Sequence, residues 1–522
     1  MKLPEIPPRP GVRQILLEVR GAGTRAGGAF RGALAVALPS LVGLAAGFGA
    51  LAAVSALGAF AVVYGEGRPY RTRWRVVSGY GAALIACAAV GSALGGAVQT
   101  WPATVGWAGM VVLMTVVVVA AACWVDALRE PAPGAFLLVL CAELACVLAA
   151  FGAVSAPGVV EWTAVGAGCA VFVSMCGALM RNDGPEIAAL GRAEHALKAL
   201  AHNRDDHLLA RRTIHVLHEA ADCLGAATPT GRRHHLADRF EALYRRCLVL
   251  VRTTADPQAS DAVGVPVEQM DLMAFPRPTV VQRIRWALIS PRTRILAIRL
   301  TVGCVLAGAA AIAIGLPRPD WAVITAAMIL HQGPDRVLGS WRAVHRCIGT
   351  VAGVVLLAVL APLLGSTGWL IVVVALLMAG TEAFLVINYA VALVFITPLA
   401  MILGELSAPS SLFDAAAGRI GETVLGVAVA VAALWLVIPR SYRIISVAAD
   451  QHVAETITAA ATSAVGAAAV NRRRLEFDLQ SATTAIVQAS YCDRAWTQAR
   501  WAAHHRLHLR AYRLVIDHDG AL

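Results

Sequence analysis

Long runs of apolar residues constrain this chain more than any other feature. Gly106–Val125 is representative: twenty residues of mostly Val, Ala, Gly, Met and Leu without a charge. About 20 such residues in a helix match the roughly 30 Å hydrocarbon core of a bilayer. In lipid every backbone amide must find its partner within the protein, so only helices or a closed barrel can cross. The runs do not alternate apolar and polar residues, which disfavours a barrel. Over the full 522 residues, 58% are hydrophobic and 15% charged, against about 25% charged in an ordinary soluble domain. The expectation is an all-α membrane protein.

The runs predict twelve spans, at about 29–47, 48–64, 79–99, 106–125, 134–154 and 159–180, then 295–315, 319–332, 344–364, 368–381, 384–404 and 416–438. These form two six-helix halves, 29–180 and 294–438. Around them lie a cytoplasmic N-terminal segment (1–28), a cytoplasmic helical domain and linker (181–293) and a cytoplasmic C-terminal helical segment (439–522). Pro257, Pro266, Pro276 and Pro278 mark the linker. The run 319–332 is too short to cross alone without extension or a re-entrant path.

Arginine placement sets the orientation. Arg9, Arg13, Arg20 and Arg25 precede the first span, Arg68, Arg71, Arg73 and Arg75 follow the second, Arg129 follows the fourth, and Arg336, Arg342 and Arg346 follow the eighth. The opposite loops, near 100–105, 155–158, 363–367 and 405–414, carry neither Lys nor Arg. Positive charge stays inside, which places both termini in the cytoplasm. No apolar core resembling a signal peptide stands at the N-terminus, so the first helix is expected to serve as the insertion signal.

An internal repeat supports two halves. At a shift of 268 residues Arg31 meets Arg299, Gly47 meets Gly315, Gly65 meets Gly333, Arg68 meets Arg336 and Gly81 meets Gly349. Six spans per half is an even number, so both halves insert the same way up, as parallel repeats.

Several chemistries are disfavoured. The lysines are Lys2 and Lys198, and neither sits in a Gly-Lys-Ser/Thr loop, so there is no Walker A site. The formal charge is +11, but the arginines lie beside apolar runs, which the membrane explains better than nucleic acid. Eleven cysteines include no C-x-x-C pair, against a zinc or disulfide framework. His215 with His218, and His504 with His508, have helical spacing for two ligands but lack the third ligand and glutamate of a zinc hydrolase motif. No nucleophile elbow or dinucleotide fingerprint is visible, so neither an enzyme nor a cofactor is expected.

One polar string stands between the apolar runs: Pro317-Arg318-Pro319-Asp320-Trp321-Ala322, Ile324-Thr325-Ala326-Ala327, then Arg342-Ala343, Arg346, Gly349-Thr350 and Gly353. With Arg299, it resembles the C-terminal transporter module of the fusaric-acid-resistance-like, or aromatic acid exporter, family. In that module an arginine opens a helix, a Trp-Ala-x-x-Thr helix follows, and an Arg-x-x-Gly-Thr-x-x-Gly element opens the next. The first half matches weakly, with Gly81-Ala82 where the second has Gly349-Thr350.

The resemblance implies export of aromatic or related organic acids, with a small organic anion and the bilayer as partners, no nucleic acid, and room for a homo-oligomer. The location it implies is the inner (plasma) membrane. Arg299, Asp320, Trp321, Thr325, Arg342, Arg346, Thr350 and Asn388 are the substrate-path candidates. Arginine forks onto carboxylates and Trp321 offers an aromatic face; the bland readings are a positive-inside anchor and an interfacial tryptophan. Glu143 and Glu422 are the proton-coupling candidates, since a carboxylate within a span is costly and proton relays are a common reason for one. For Glu422 the bland reading is an i,i+3 pair with Arg419. A passive anion channel and a non-transporting scaffold remain as alternatives.

Overall fold

The computed structural model describes residues 5–9, 11, 26–128, 134–152, 154–180, 182–203, 207–225, 234–255, 280–331, 333, 335–385, 387–405, 411–462 and 465–517. The linker prolines, Arg13, Arg20, Arg25, Arg129 and most of the loop 405–410 lie outside the described residues. All regular structure among the described residues is helical.

The first apolar block comprises α1 (Ala26–Ala45), α2 (Leu51–Tyr64), α3 (Tyr70–Val98), α4 (Ala103–Leu128), α5 (Phe136–Ala150) and α6 (Ala156–Met180). Three helices follow, α7 (Gly184–His202), α8 (His207–Leu224) and α9 (His234–Ala255), then a short α10 (Val280–Ile289). The second apolar block comprises α11 (Pro291–Ile314), α12 (Pro319–Leu330), α13 (Arg336–Leu360), α14 (Thr367–Phe384), α15 (Tyr389–Glu405) and α16 (Leu412–Leu436). Three further helices close the chain: α17 (Ser441–Thr462), α18 (Val465–Cys492) and α19 (Arg494–Asp517).

Eight of these helices (α1, α3, α4, α6, α11, α13, α14 and α16) are long and apolar enough to cross a membrane; α2, α5, α12 and α15 are shorter. Of the twelve expected spans, eight are thus helices of full crossing length and four are shorter. At 1.5 Å per residue, twelve-residue α12 reaches only about 18 Å. The run 48–64 is a chain of 3-10 and α turns rather than one helix. The short helices fall at the second and fifth positions of each block: every residue of α12 is buried, and so is α5 up to its last residue. The long helices surround them and turn apolar residues outward, as with Val351, Val355 and Val359 at i, i+4, i+8 on α13. Such a stripe suits lipid and would be costly in water.

Helix ends follow local chemistry. Gly315, at φ +77°, ends α11 in the left-handed conformation, which glycine adopts without a Cβ penalty. Pro319 then opens α12 at its first turn. Asp335 caps α13 by accepting from Val337 N at 2.8 Å and Leu338 N at 3.2 Å. Two boundaries differ from expectation. Arg71, Arg73 and Arg75 lie in the first turns of α3, and Arg342 lies inside α13, rather than in loops.

The two blocks pack alike. In each, the third helix packs on the fifth and sixth, and the first on the sixth. The fourth helix of each block crosses to the first helix of the other: α14 lies on α1, and α4 on α11. Each crossing helix carries an acid two residues before its end. Asp126 on α4 bonds Arg292 Nε (3.1 Å) and Thr293 Oγ1 (2.7 Å) in the first turn of α11. Glu382 on α14 packs against Gly28 and Gly32 in α1. Outside the apolar blocks, α7–α9 and α17–α19 each have a small core of their own.

Candidate functional site

A cluster of charges occupies the buried centre, where the N-terminus of α12 meets α5 and α16. The Gly315–Arg318 turn sets Arg318 just before α12. Its Nη2 donates to Asp320 Oδ2 at 2.7 Å and to Glu143 Oε1 at 3.0 Å, and its Nε donates to both Asp320 oxygens. The Arg318 backbone N–H donates to Glu422 Oε1 at 3.0 Å. One residue thus holds carboxylates from three helices. Glu143 and Asp320 are fully buried. Asp320 also sits in the first turn of α12, where the helix dipole favours negative charge.

Across the cluster lie two further buried arginines. Arg419 on α16 stacks its guanidinium over the Trp321 ring at 3.5 Å, while its Nε and Nη1 have no hydrogen-bond partner. Arg346 on α13, 2% exposed, leaves Nε unbonded and lies within electrostatic reach of Arg419. Among the described residues neither Arg346 nor Arg419 has a carboxylate at ion-pair distance. Tyr389, at the start of α15, interacts electrostatically with both Arg346 and Arg342. Arg342, Arg346 and Thr350 stand four residues apart on α13, one above another. Thr325 and Thr350 are buried with unbonded hydroxyls.

The sequence candidates divide. Asp320, Trp321, Thr325, Arg346, Glu143 and Glu422 meet at or beside this cluster. Arg342 lies at its α13 end and spends Nε on Ile329 O at 3.2 Å. Two candidates lie elsewhere. The Arg299 guanidinium bonds the carbonyls of Leu434, Val437 and Ile438 and the Ser441 hydroxyl, tying down the end of α16. Asn388 accepts from Ala390 N and Val391 N and caps α15. Trp321 is buried at 5% exposure, and Glu422 accepts from Arg318 N while also interacting electrostatically with Arg419.

Arg318, Arg419 and Tyr389 were missed as site residues. Arg318 is flanked by prolines and reads as a turn. Arg419 reads as a helical counter-ion for Glu422. Tyr389 carries no charge to mark it. The signal that links them is tertiary.

The long apolar helices around short buried ones are those of a membrane-spanning protein, with titratable groups buried among them. Residues 303–433, a quarter of the chain, match the family model described as fusaric acid resistance protein-like. No curated protein and no solved structure matches the chain. The match runs from α11 into α16, so it contains Arg318, Asp320, Trp321, Arg346, Arg419 and Glu422, while Glu143 comes from outside it. The match over this segment and the apolar helices support a multi-pass membrane transporter.

Proposed function

We propose that the protein drives aromatic or related organic acids out of the cytoplasm at the expense of the proton gradient, across the inner (plasma) membrane. Twelve spans in two parallel six-helix repeats, with both termini cytoplasmic, are the architecture proposed for it. The reading rests chiefly on Arg346 and Arg419, two buried arginines with no carboxylate at ion-pair distance among the described residues, the second stacked on Trp321. A buried charge needs a partner, and a substrate carboxylate supplies one, forked between the two guanidiniums. Thr325 and Thr350 offer hydroxyls to its remaining lone pairs.

The proton enters at Glu143. Its bond to Arg318 is an ion pair between α5 and the α12 end, so it joins the first block to the second. Protonation cancels the attraction, and Arg318 falls back on Asp320. The seam between the blocks is then free to part on the side from which the proton arrived. The loops without arginine support that side being the outside.

Glu143→Gln in proteoliposomes tests this, with a labelled aromatic acid as probe. The amide keeps size and a hydrogen bond but cannot titrate. Accumulation against a gradient should fall at least tenfold, while exchange of labelled for unlabelled acid persists. Uphill transport equal to wild type would remove Glu143 from coupling. A wild-type protein that never concentrates the acid would sink the exporter and leave the passive channel.

A further inference from the structure

The C-terminal helices hold a second cluster that the transport reading does not use. His504 and His508 lie one turn apart on α19, and both side chains are buried. Sequence spacing offers these two nitrogens and no third ligand. The fold provides the third from 54 residues upstream: His504 Nδ1 donates to Asp450 Oδ1 on α17 at 2.7 Å. One ligand atom from each of Asp450, His504 and His508 lies within 4.8 Å of the other two. The two imidazole centroids are 3.9 Å apart, and Trp501 stacks on His504 from the other side. His504 Nε2, in a side chain that is 1% exposed, has no hydrogen-bond partner.

The structure assigns a divalent transition-metal site to Asp450, His504 and His508. Two imidazoles and one carboxylate are the donor set of zinc and its first-row neighbours, not of calcium or magnesium, which take oxygen. At bond lengths of roughly 2.0–2.2 Å the donors around one ion stand about 3.3 Å apart. The residues reach that spacing by shifts of about an ångström, with Asp450 moving from hydrogen-bond acceptor to ligand. The metal would clamp α17 to α19. Helix α17, which carries Asp450, follows α16 after four residues, and Arg299 holds that break.

Full-length protein purified without a polyhistidine tag and stripped with EDTA is titrated with Co2+, whose visible absorption reports imidazole ligation. One tight equivalent is expected in wild type. His504→Gln, His508→Gln and Asp450→Asn should each weaken it by roughly tenfold or more, and His215→Gln, in the other histidine pair, should not. X-ray absorption of the wild-type complex guards against variants that fail to fold: it should report two imidazoles. No tight equivalent in wild type, fewer than two imidazoles, or unchanged affinity in all three variants would each overturn the site.

Discussion

A guanidinium keeps its charge in any surroundings a protein offers, so burying one commits the fold to finding it a counter-charge. Arg318 has two, and Arg346 and Arg419 have none at ion-pair distance among the described residues. That contrast predicts opposite phenotypes. Arg318→Ala strands Glu143 and Asp320 in the interior and should destabilise the protein by roughly 3–5 kcal/mol; adding Glu143→Gln and Asp320→Asn should restore much of the lost melting temperature. Arg346→Ala should leave stability nearly unchanged or improve it, while carboxylate transport drops at least tenfold and Arg346→Lys recovers only part, since an ammonium cannot fork. Equal and full transport by Arg346→Ala and Arg346→Lys would reduce Arg346 to a topology anchor. At this scale, sequence reading found the acids more readily than their partners. Glu143 stands out in an apolar run because it is expensive there. Its partner Arg318 is 175 residues away, and no local pattern marks such a pair.

At the scale of the helix, small residues decide how closely the blocks pack. A Cβ on Gly91 of α3 would stand 2.1 Å from the Ala142 carbonyl oxygen of α5, whereas one on Gly96, a turn away, would meet nothing within 4 Å. Gly91→Ala should therefore cost roughly 1–3 kcal/mol through overpacking. Gly96→Ala should be neutral or gain up to about 1 kcal/mol through the helix propensity of alanine. Melting curves in detergent separate the two, and equal midpoints would refute the close α3–α5 contact.

The α18–α19 corner carries a charge device outside the membrane. Asp493 accepts from Arg443 Nη2 at 2.5 Å, from Tyr442 OH and from Trp496 N. The Arg443 hydrogen bond, with the backbone bond behind it, holds its carboxyl below the ordinary value. A depressed acid contributes stability above its unfolded pKa, near 3.9, and loses it as pH falls through the folded value. The stability advantage of wild type over Asp493→Ala should hold at neutral pH and shrink below about pH 4. An advantage that is flat across that window would mean the carboxylate charge contributes nothing. Long apolar helices were legible as such. The short ones were legible only as runs, because period and hydropathy report burial and do not say whether lipid or protein does the burying.

For the whole molecule, orientation is the testable property. A cysteine at Ser366, in the arginine-free turn between α13 and α14, should react with an impermeant reagent in intact cells; one at Asn203, after α7, should react only after lysis. Labelling of position 203 from outside would invert the proposed topology. The proposed duplication draws only in part on the sequence: Arg31 and Arg299 align at the shift of 268, yet Arg31 pairs with Glu66 while Arg299 caps a helix end. The better witness is the common packing order, which no residue-by-residue alignment displays.

The crossing of α14 onto α1 and of α4 onto α11 has a consequence for how such a chain is assembled. Whichever block leaves the ribosome first has its leading helix uncovered until the other block arrives, and α4 waits for a partner, α11, made more than 150 residues later. The early block is thus a client for whatever shields bare helices during synthesis, and the fold closes like a clasp only when the second block emerges. Cut within 256–279 and expressed as two pieces, the protein should recover its function when both are made together and neither piece should accumulate alone. A stable, monodisperse first piece would show that the clasp is dispensable.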